Sequence, residues 1–418
     1  MNNNNGKNFD IPDILKEKEV PKKKSKKPIV IGILAGAFSL LVFVSILITV
    51  FNRIEIAGET YKLNANSVYI RDYEFKTEDI EAISKLKRAT YIQLTNCTLP
   101  VDNLNWIPES VNEIKLNNCN LTDKHIASID FEKNGFSAIN IDGNNGVTDL
   151  SRLKDAGEKL TSLSFCDCSV SDISFASFLV NLQSLYFDFN SVEDISSLAF
   201  CTKLQIVSFN ENKVKNIDSW LSCPNLSEVY IASNQITNLD GLKNATKLKH
   251  INADDHMATD IAGLKNATRI DTLSIKNNGG NASLDFSVLE QSVESITELT
   301  VDGTLIDDLA PIGKMINLNK ISINNNSSVR SLEFLKNCSD IQFVYVSGTG
   351  LESLSGIENM KNLYEFDASH CKLTSVEPLL SLTDNSIYLD LSNNNISSLK
   401  LSASALFFKK WSGVSCWG

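Results

Sequence analysis

From about Ala65 onward the apolar residues recur in one frame, L-x-x-L-x-L-x-x-N-x-L. ATYIQLTNCTL from Ala89, VNEIKLNNCNL from Val111, LQSLYFDFNSV from Leu182, LQIVSFNENKV from Leu204 and LSEVYIASNQI from Leu226 all fit it, as do ITELTVDGTLI from Ile296, IQFVYVSGTGL from Ile341 and LYEFDASHCKL from Leu363. With weaker copies, the frame starts at residues 89, 111, 136, 160, 182, 204, 226, 248, 270, 296, 318, 341, 363 and 386, mostly 22 apart, and a degenerate copy begins near Ala65. A repeat this regular fixes the architecture before any local reading. Positions 4 and 6 alternate as in a strand, and successive strands are expected to stack in parallel about 4.7 Å apart. One copy cannot bury its own apolar face, so stability must come from its neighbours. The second half of each copy carries another apolar beat, as in NIDSWL at 216–221 and NLDGL at 238–242. About eleven residues must turn twice and return, which suits short 3₁₀ pieces better than full helices. That side is then wider than the strands, so the stack should curve with its sheet on the inside.

Position 9 reads Cys97, Cys119, Asn144, Cys168, Asn190, Asn212, Asn234, His256, Asn278, Thr304, Asn326, Thr349, Cys371 and Asn394. The chain turns inward there and leaves backbone groups without sheet partners. A buried Asn offers them both a donor and an acceptor. Asn234 is therefore expected to be buried and bonded to turn backbone, while Asn277, one residue before the ladder, should face solvent. The same column accounts for four of the nine cysteines; Cys201, Cys223 and Cys338 fall in another interior column. Seven of nine thus read as small buried hydrophobes, which argues against a disulfide scaffold.

The N-terminal region is unlike the rest. Ile29 to Phe51 carries no charge over 23 residues, enough helix for about 34 Å against a bilayer core of about 30 Å. Lys22, Lys23, Lys24, Lys26 and Lys27 precede it, and only Arg53, Lys62 and Arg71 follow closely. The lysine-rich flank is expected to stay cytoplasmic and the repeats to lie outside. Gly32 and Gly36 form G-x-x-x-G within the run, a spacing that would let two such helices pack as a homodimer. The first 28 residues, polar and lysine-rich, should be disordered. The net charge of −11 includes this basic tail, so the remainder is about −15. An acidic ectodomain argues against nucleic acid as a partner. After the run, RIEI-AGE-TYKL suggests a short capping hairpin. At the other end, Phe408, Trp411 and Cys416 fall where positions 1, 4 and 9 of a further copy would lie.

The 22-residue period, the Asn ladder and phrases such as NLDGLKNATKL and DIAGLKNATRI resemble the bacterial internalin-type leucine-rich repeats over roughly residues 65 to 400. The resemblance implies an α/β solenoid: a curved right-handed superhelix with a parallel concave β-sheet and a 3₁₀ or short-helical convex side. Here one transmembrane helix would precede it. The expected domains are a disordered basic cytoplasmic tail (1–28), a signal-anchor helix (29–51), an N-terminal cap hairpin with a degenerate first repeat (52–88), about 14 repeats (89–400), and a C-terminal cap or truncated repeat (401–418). Members of that family are surface proteins whose concave face binds host or envelope partners. No cell-wall sorting motif is visible, so the N-terminal span is expected to anchor the chain in the cell membrane.

The sequence shows no nucleophile–base pair, phosphate loop or cofactor signature, so an enzyme is not expected. Two functions remain: a receptor-like or adhesive binding protein, and a structural envelope scaffold or stalk without a specific ligand. They differ on the strand positions not used for the core. Those hold aromatics in two groups, Tyr186, Phe189 and Tyr230, then Phe343, Tyr345, Tyr364 and Tyr388. Exposed tyrosines anchor protein interfaces and stack on sugars. Between the groups lie Glu228, Asp254, Asp255 and Asp302, an acidic surround that favours a protein or an uncharged glycan as partner. His250, Asp254 and Asp255 are weak candidates for a divalent cation, with solvated side chains as the plainer reading. Cys166 and Cys168 form C-x-C, but Cys168 is a ladder residue. Asn244 and Asn266 head Asn-Ala-Thr sequons, which matter only in a chain that meets glycosylation machinery.

Overall fold

The computed structural model describes residues 52–277, 283–382 and 387–396, together with the backbone of 410–412. The basic tail, the apolar run 29–51 with Gly32 and Gly36, the ladder residue Asn278, and Phe408 and Cys416 lie outside the described residues. Among the described residues no helix is long and apolar enough to cross a membrane.

The chain enters through an antiparallel hairpin, β1 (Arg53–Ile56) and β2 (Glu59–Lys62). Ala57 and Gly58 turn it with φ of +53° and +76°, the doubly left-handed conformation that matches the twist of paired strands. Asp79 fastens this turn to the next element, accepting the Ala57 N–H at 2.8 Å and the Tyr73 hydroxyl at 3.2 Å.

Sixteen strands then form one sheet in strict sequence order, from Ser67–Arg71 to Lys410–Ser412. Register repeats from copy to copy: Val207 stands opposite Val229 and Val229 opposite Ile251. Most strands are only three residues, positions 3 to 5 of the frame, and the middle residue is buried. Positions 1, 4, 6 and 11 build the core; Leu204, Val207, Phe209 and Val214 of one copy are all fully buried. At position 6, Phe165, Phe187 and Phe209 stack with centroids 5.5 and 5.1 Å apart, and Trp220 continues the column at 5.5 Å.

Three sequence expectations are refined. The copy at Ala65 is a full sheet member, paired with Tyr91–Thr95 over five residues; it looked degenerate because Tyr73 replaces the ladder residue. The end of the chain adds a strand in frame, with Trp411 opposite Leu389. The return segments are 3₁₀ in eleven copies, but Thr77–Ser84 and Asp123–Ala127 are α-helices. Those two copies run 24 and 25 residues to the next start, but length alone does not select the α turn, since the copies at 136 and 270 run 24 and 26 residues and return through 3₁₀ turns. Many 3₁₀ turns begin at an Asp or Asn at position 13 whose side chain accepts the N–H two residues on, as Asp172, Asp194, Asn216, Asn238 and Asp260 do.

The ladder is continuous through several copies. Asn234 is 6% exposed. Its amide donates to Phe209 O of the preceding copy at 3.0 Å and to Ile231 O and Ala232 O of its own at 3.0 and 3.1 Å. Its oxygen accepts the Val214 N–H at 3.0 Å. Asn190 and Asn212 repeat all four bonds. The ladder cysteines donate S–H to the same carbonyls: Cys119 to Leu94 O at 3.5 Å and Cys371 to Val346 O at 3.2 Å. Cys201, Cys223 and Cys338 donate likewise to Ala176, Leu198 and Met315 carbonyls. None of the eight described cysteines is in a disulfide, and burial pushes the Cys119 and Cys201 thiols up to about 12.

Position 8 holds a regularity that the apolar frame does not display. It is left-handed in all fourteen copies from 89 onward, with φ between +49° and +73°. Asn277 is one of these, exposed, at φ +49°, with its amide on Asp255 at 2.8 Å. It does face solvent, but it is not conformationally neutral. Asn234→Ala should cost about 1–3 kcal/mol by stranding buried carbonyls. Asn277→Ala should cost about 1 kcal/mol because a Cβ-bearing residue without a short polar group disfavours that backbone, and Asn277→Gly should restore it. Urea melts of the three variants check this; equal loss in Asn277→Ala and Asn277→Gly would show that backbone conformation is not the cause.

Candidate functional site

The open face of the sheet presents positions 3 and 5 of each strand, followed by positions 7 and 8. Position 7 leaves an N–H pointing along the sheet toward the preceding copy, and two side-chain devices meet it. In the first, the position-7 side chain of the preceding copy accepts it. Asp142 accepts the Cys166 N–H at 2.8 Å, Asp188 the Asn210 N–H at 2.6 Å, Asp254 the Lys276 N–H at 2.9 Å and Asp302 the Asn324 N–H at 2.8 Å. Each of these carboxylates also takes a serine hydroxyl from position 5 of the following copy: Ser164, Ser208, Ser274 and Ser322, at 2.6 to 2.7 Å. In the second, the residue's own position-5 side chain accepts, as Asn140 does for Asp142, Asn252 for Asp254, Asp367 for Ser369 and Asp390 for Ser392. Burial raises the Asp142 and Asp188 carboxyls above the usual range, opposed by these hydrogen bonds.

This pattern corrects the reading of Asp254 and Asp302 as a solvated acidic surround. Asp254 is 5% exposed, and its second oxygen meets Lys276 Nζ at 3.0 Å. It is a structural clamp. The other members of the weak cation trio are also committed: His250 Nδ1 lies 2.8 Å from the Thr272 hydroxyl, and Asp255 accepts from Asn277. Among the described residues no three His, Cys, Asp or Glu side chains gather around a possible cation. Glu228 accepts the Tyr230 hydroxyl at 3.1 Å. Cys166 is half-buried at position 7; burial and the nearby Asp142 and Asp188 charges push its thiol far above the usual range, so it is no thiolate. The sequon amides of Asn244 and Asn266 are taken by Leu221 O and Lys243 O at 2.9 and 3.0 Å.

The aromatic residues fall into three groups. Tyr186 and Tyr230 share position 5 two strands apart, with Ser208 between them. Both are partly buried, and desolvation together with Glu228 raises both phenols. Phe189 follows Tyr186 by three residues in the same copy, 60% exposed, at φ +57°. In the second group Phe343 meets Tyr364 at 5.8 Å and Tyr364 meets Tyr388 at 5.1 Å, both edge to face. Tyr345 lies alongside with its hydroxyl on Glu365, and burial with that carboxylate pushes its phenol up to about 12. The third group, Tyr69 and Tyr91 at 5.2 Å, was missed by the sequence reading. Alignment of the copy at Ala65 on position 5 would have found Tyr69.

His256 occupies the ladder position, 2% exposed. Its Nδ1 accepts the Ala258 N–H at 3.1 Å, and Nε2 has no protein partner. Burial lowers its pKa to about 4, against the raising influence of Asp254 and Asp255.

A family model described as Leucine Rich repeats (2 copies) matches residues 202–244. Among solved structures the chain is similar to an internalin (InlF) of Listeria monocytogenes, with 19% identity over 85% of this chain and 90% of that one and a TM-score of 0.56. It is similar also to a leucine-rich-repeat protein of Leptospira interrogans, with 15% identity, 80% and 89% coverage and a TM-score of 0.59. A third is the functional domain of InlJ from L. monocytogenes, which includes a cysteine ladder, with 17% identity, 82% and 67% coverage and a TM-score of 0.52. No curated protein matches the chain by sequence. The sequence carries leucine-rich repeats, and its fold is the one that internalins share.

Because His256 is neutral when folded and ordinary when unfolded, acid favours the unfolded chain. Stability should hold above about pH 6.5, fall between there and pH 4, and level off below, by on the order of 3 kcal/mol. His256→Asn should remove this dependence and, by completing the ladder, stabilise the chain by about 1–3 kcal/mol at pH 7. Chemical denaturation of both proteins across pH 4 to 7.5 is the measurement; parallel pH profiles would refute the assignment to His256.

Proposed function

We propose that this leucine-rich-repeat chain is a membrane-anchored extracytoplasmic binding protein that holds a macromolecular partner on the open, concave face of its sheet. The observation that carries this reading is Phe189. A bulky aromatic in the left-handed region is strained by about 1–2 kcal/mol. Most other copies place Asn, Asp or Gly there. Phe189 gains little from packing, since it is 60% exposed. Strain without compensation inside the fold points to a contact outside it, and an exposed ring in the same copy as Tyr186 has the chemistry of an interface anchor. A stalk or scaffold gives no reason to keep it. The apolar run 29–51 supplies the anchor, its lysine-rich flank holds the N-terminus in the cytoplasm, and Gly32 with Gly36 lets two spans pack together.

Phe189→Asn should raise stability by about 1 kcal/mol while abolishing capture of a partner that the wild-type chain retains at stoichiometric yield from envelope or host-surface extracts. Retained capture by Phe189→Asn and by Tyr186→Ser/Tyr230→Ser, with the fold intact by circular dichroism, would place binding elsewhere. The orientation is tested with protease added to cells whose outer barrier is permeabilised. The repeats should be degraded; their full protection would refute an extracytoplasmic location.

A further inference from the structure

The return side of the stack carries an apolar strip that the core does not use. Phe178 and Phe200 close the 3₁₀ turns Ser174–Phe178 and Ser196–Phe200 of adjacent copies, both at position 19 of the frame, and Leu221 stands one residue earlier in the following turn, Asp218–Ser222. They are 56%, 58% and 42% exposed. A single exposed apolar residue needs no explanation, but three in successive stacked copies form a patch. Position 19 has a structural use elsewhere. Asn244, Asn266 and Asn359 occupy it and donate to carbonyls of the preceding copy, Leu221 O, Lys243 O and Lys336 O, at 2.9 to 3.2 Å. Phe178 and Phe200 give up that bond and put a ring in water instead. The flank of the strip is charged in one sense: positions 12 to 15 of the same three copies hold Asp172, Glu193, Asp194 and Asp218 against Lys215. Among the described residues no ion pair engages Asp172, Glu193 or Asp194. A groove of about 630 Å³ between the first two turns is lined by these three carboxylates, by serines and by Phe200.

We propose that this strip is a further interface, separate from the open face of the sheet, and that it takes an amphipathic helix of a protein partner. The helix lays an apolar stripe on Phe178, Phe200 and Leu221 and turns lysines or arginines toward Asp172, Glu193 and Asp194. The repeat sets the geometry. Copies step about 4.8 Å at the sheet and further on the wider return side, a range that meets the roughly 5.4 Å pitch of an α-helix. A helix laid along the stack therefore presents one turn to each copy, with its apolar residues three or four apart. Charge complementarity selects a basic partner. A second copy docking symmetrically would oppose the same carboxylates, and an anionic lipid surface would be repelled.

The test uses the full chain in maltoside micelles and a fluorescein-labelled helical peptide of alanine, leucine and lysine, with leucine every third or fourth residue and lysine on both sides of that stripe, followed by fluorescence anisotropy. Saturable binding is expected, weakening as salt rises. Phe178→Asn/Phe200→Asn installs the residue with which three other copies fold, and it should lower affinity about tenfold or more. Asp172→Asn/Asp194→Asn keeps the acceptors for the Ser174 and Ser196 N–H groups, a task that Asn216 and Asn238 perform in the next two copies. It should lower affinity severalfold at low salt, whereas Asp260→Asn/Asp308→Asn, the same charge change in turns elsewhere, should not. Micelle partition is common to all variants, so these differences isolate the strip. Unchanged affinity in either of the first two variants overturns the proposal, as does an equal loss in Asp260→Asn/Asp308→Asn. Equal binding of a peptide of the same composition with its leucines scattered round the helix overturns it too. Binding that appears only after Lys22, Lys23, Lys24, Lys26 and Lys27 are changed to Ser would make the chain's own tail the occupant. A wild-type dimer in sedimentation that Phe178→Asn/Phe200→Asn dissociates would make it a second copy. Each of these also overturns the proposal. Phe189→Asn should leave the peptide bound as before, so the open-face reading fails or stands separately.

Discussion

The solenoid depends on how the chain satisfies the carbonyls it exposes when it turns inward after each strand. In most copies the strand ends at position 5, and the backbone oxygens of positions 6 and 7 are met by the ladder side chain as the chain turns inward. An unpaired buried carbonyl costs as much as a lost hydrogen bond. One Asn amide reaches both oxygens of its own copy and one of the preceding copy, and its own oxygen returns a bond to the preceding copy's N–H. Each ladder residue therefore joins two copies. Cys, Thr and His meet this demand less fully: Cys supplies a weak donor, Thr304 one bond to Ile275 O at 2.8 Å, and His256 an acceptor to its own copy. Stability is thus expected to vary along the stack, with the Asn190–Asn234 stretch the best tied.

A second constraint acts on the opposite side of the same turn. The position-7 N–H points along the sheet rather than into the core, and carboxylates or amides at positions 5 and 7 take it up. This recurring need takes up Asp254 and Asp302, two of the four acids that otherwise read as a recognition surface. Outside these clamps the open face is marked chiefly by its aromatic residues. The clamps also explain why serine is common at position 5: its hydroxyl reaches the carboxylate of the preceding copy.

The left-handed residue at position 8 links these two networks. It lets the chain turn from the strand toward the ladder within two residues, and it sets each position-8 side chain at the edge of the open face. Asn, Asp and Gly tolerate that backbone at little cost. A large ring does not, so Phe189 couples local strain to exposure on the face where contact is expected.

The sequence by itself determined the repeat, its parallel strands, the buried columns at positions 1, 4, 6, 9 and 11, and the fate of seven cysteines, because each follows from a periodicity that one-dimensional spacing records. It also assigned Tyr186, Tyr230, Tyr345, Tyr364 and Tyr388 to the open face by alternation, but passed over Tyr69 and Tyr91. It did not show which acids of the open face clamp the sheet. Alternation puts Asp254, at position 7, and Asp367, at position 5, on the same open face, yet Asp254 is sealed by Ser274 and Lys276 of the next copy while Asp367 accepts the Ser369 N–H of its own. That distinction rests on which side chain the neighbouring copy presents some 20 residues away. The sheet membership of the copy at Ala65, the two α-helical returns and the left-handed column at position 8 are likewise seen only in the folded chain. Only the stacked structure brings those partners within hydrogen-bond reach.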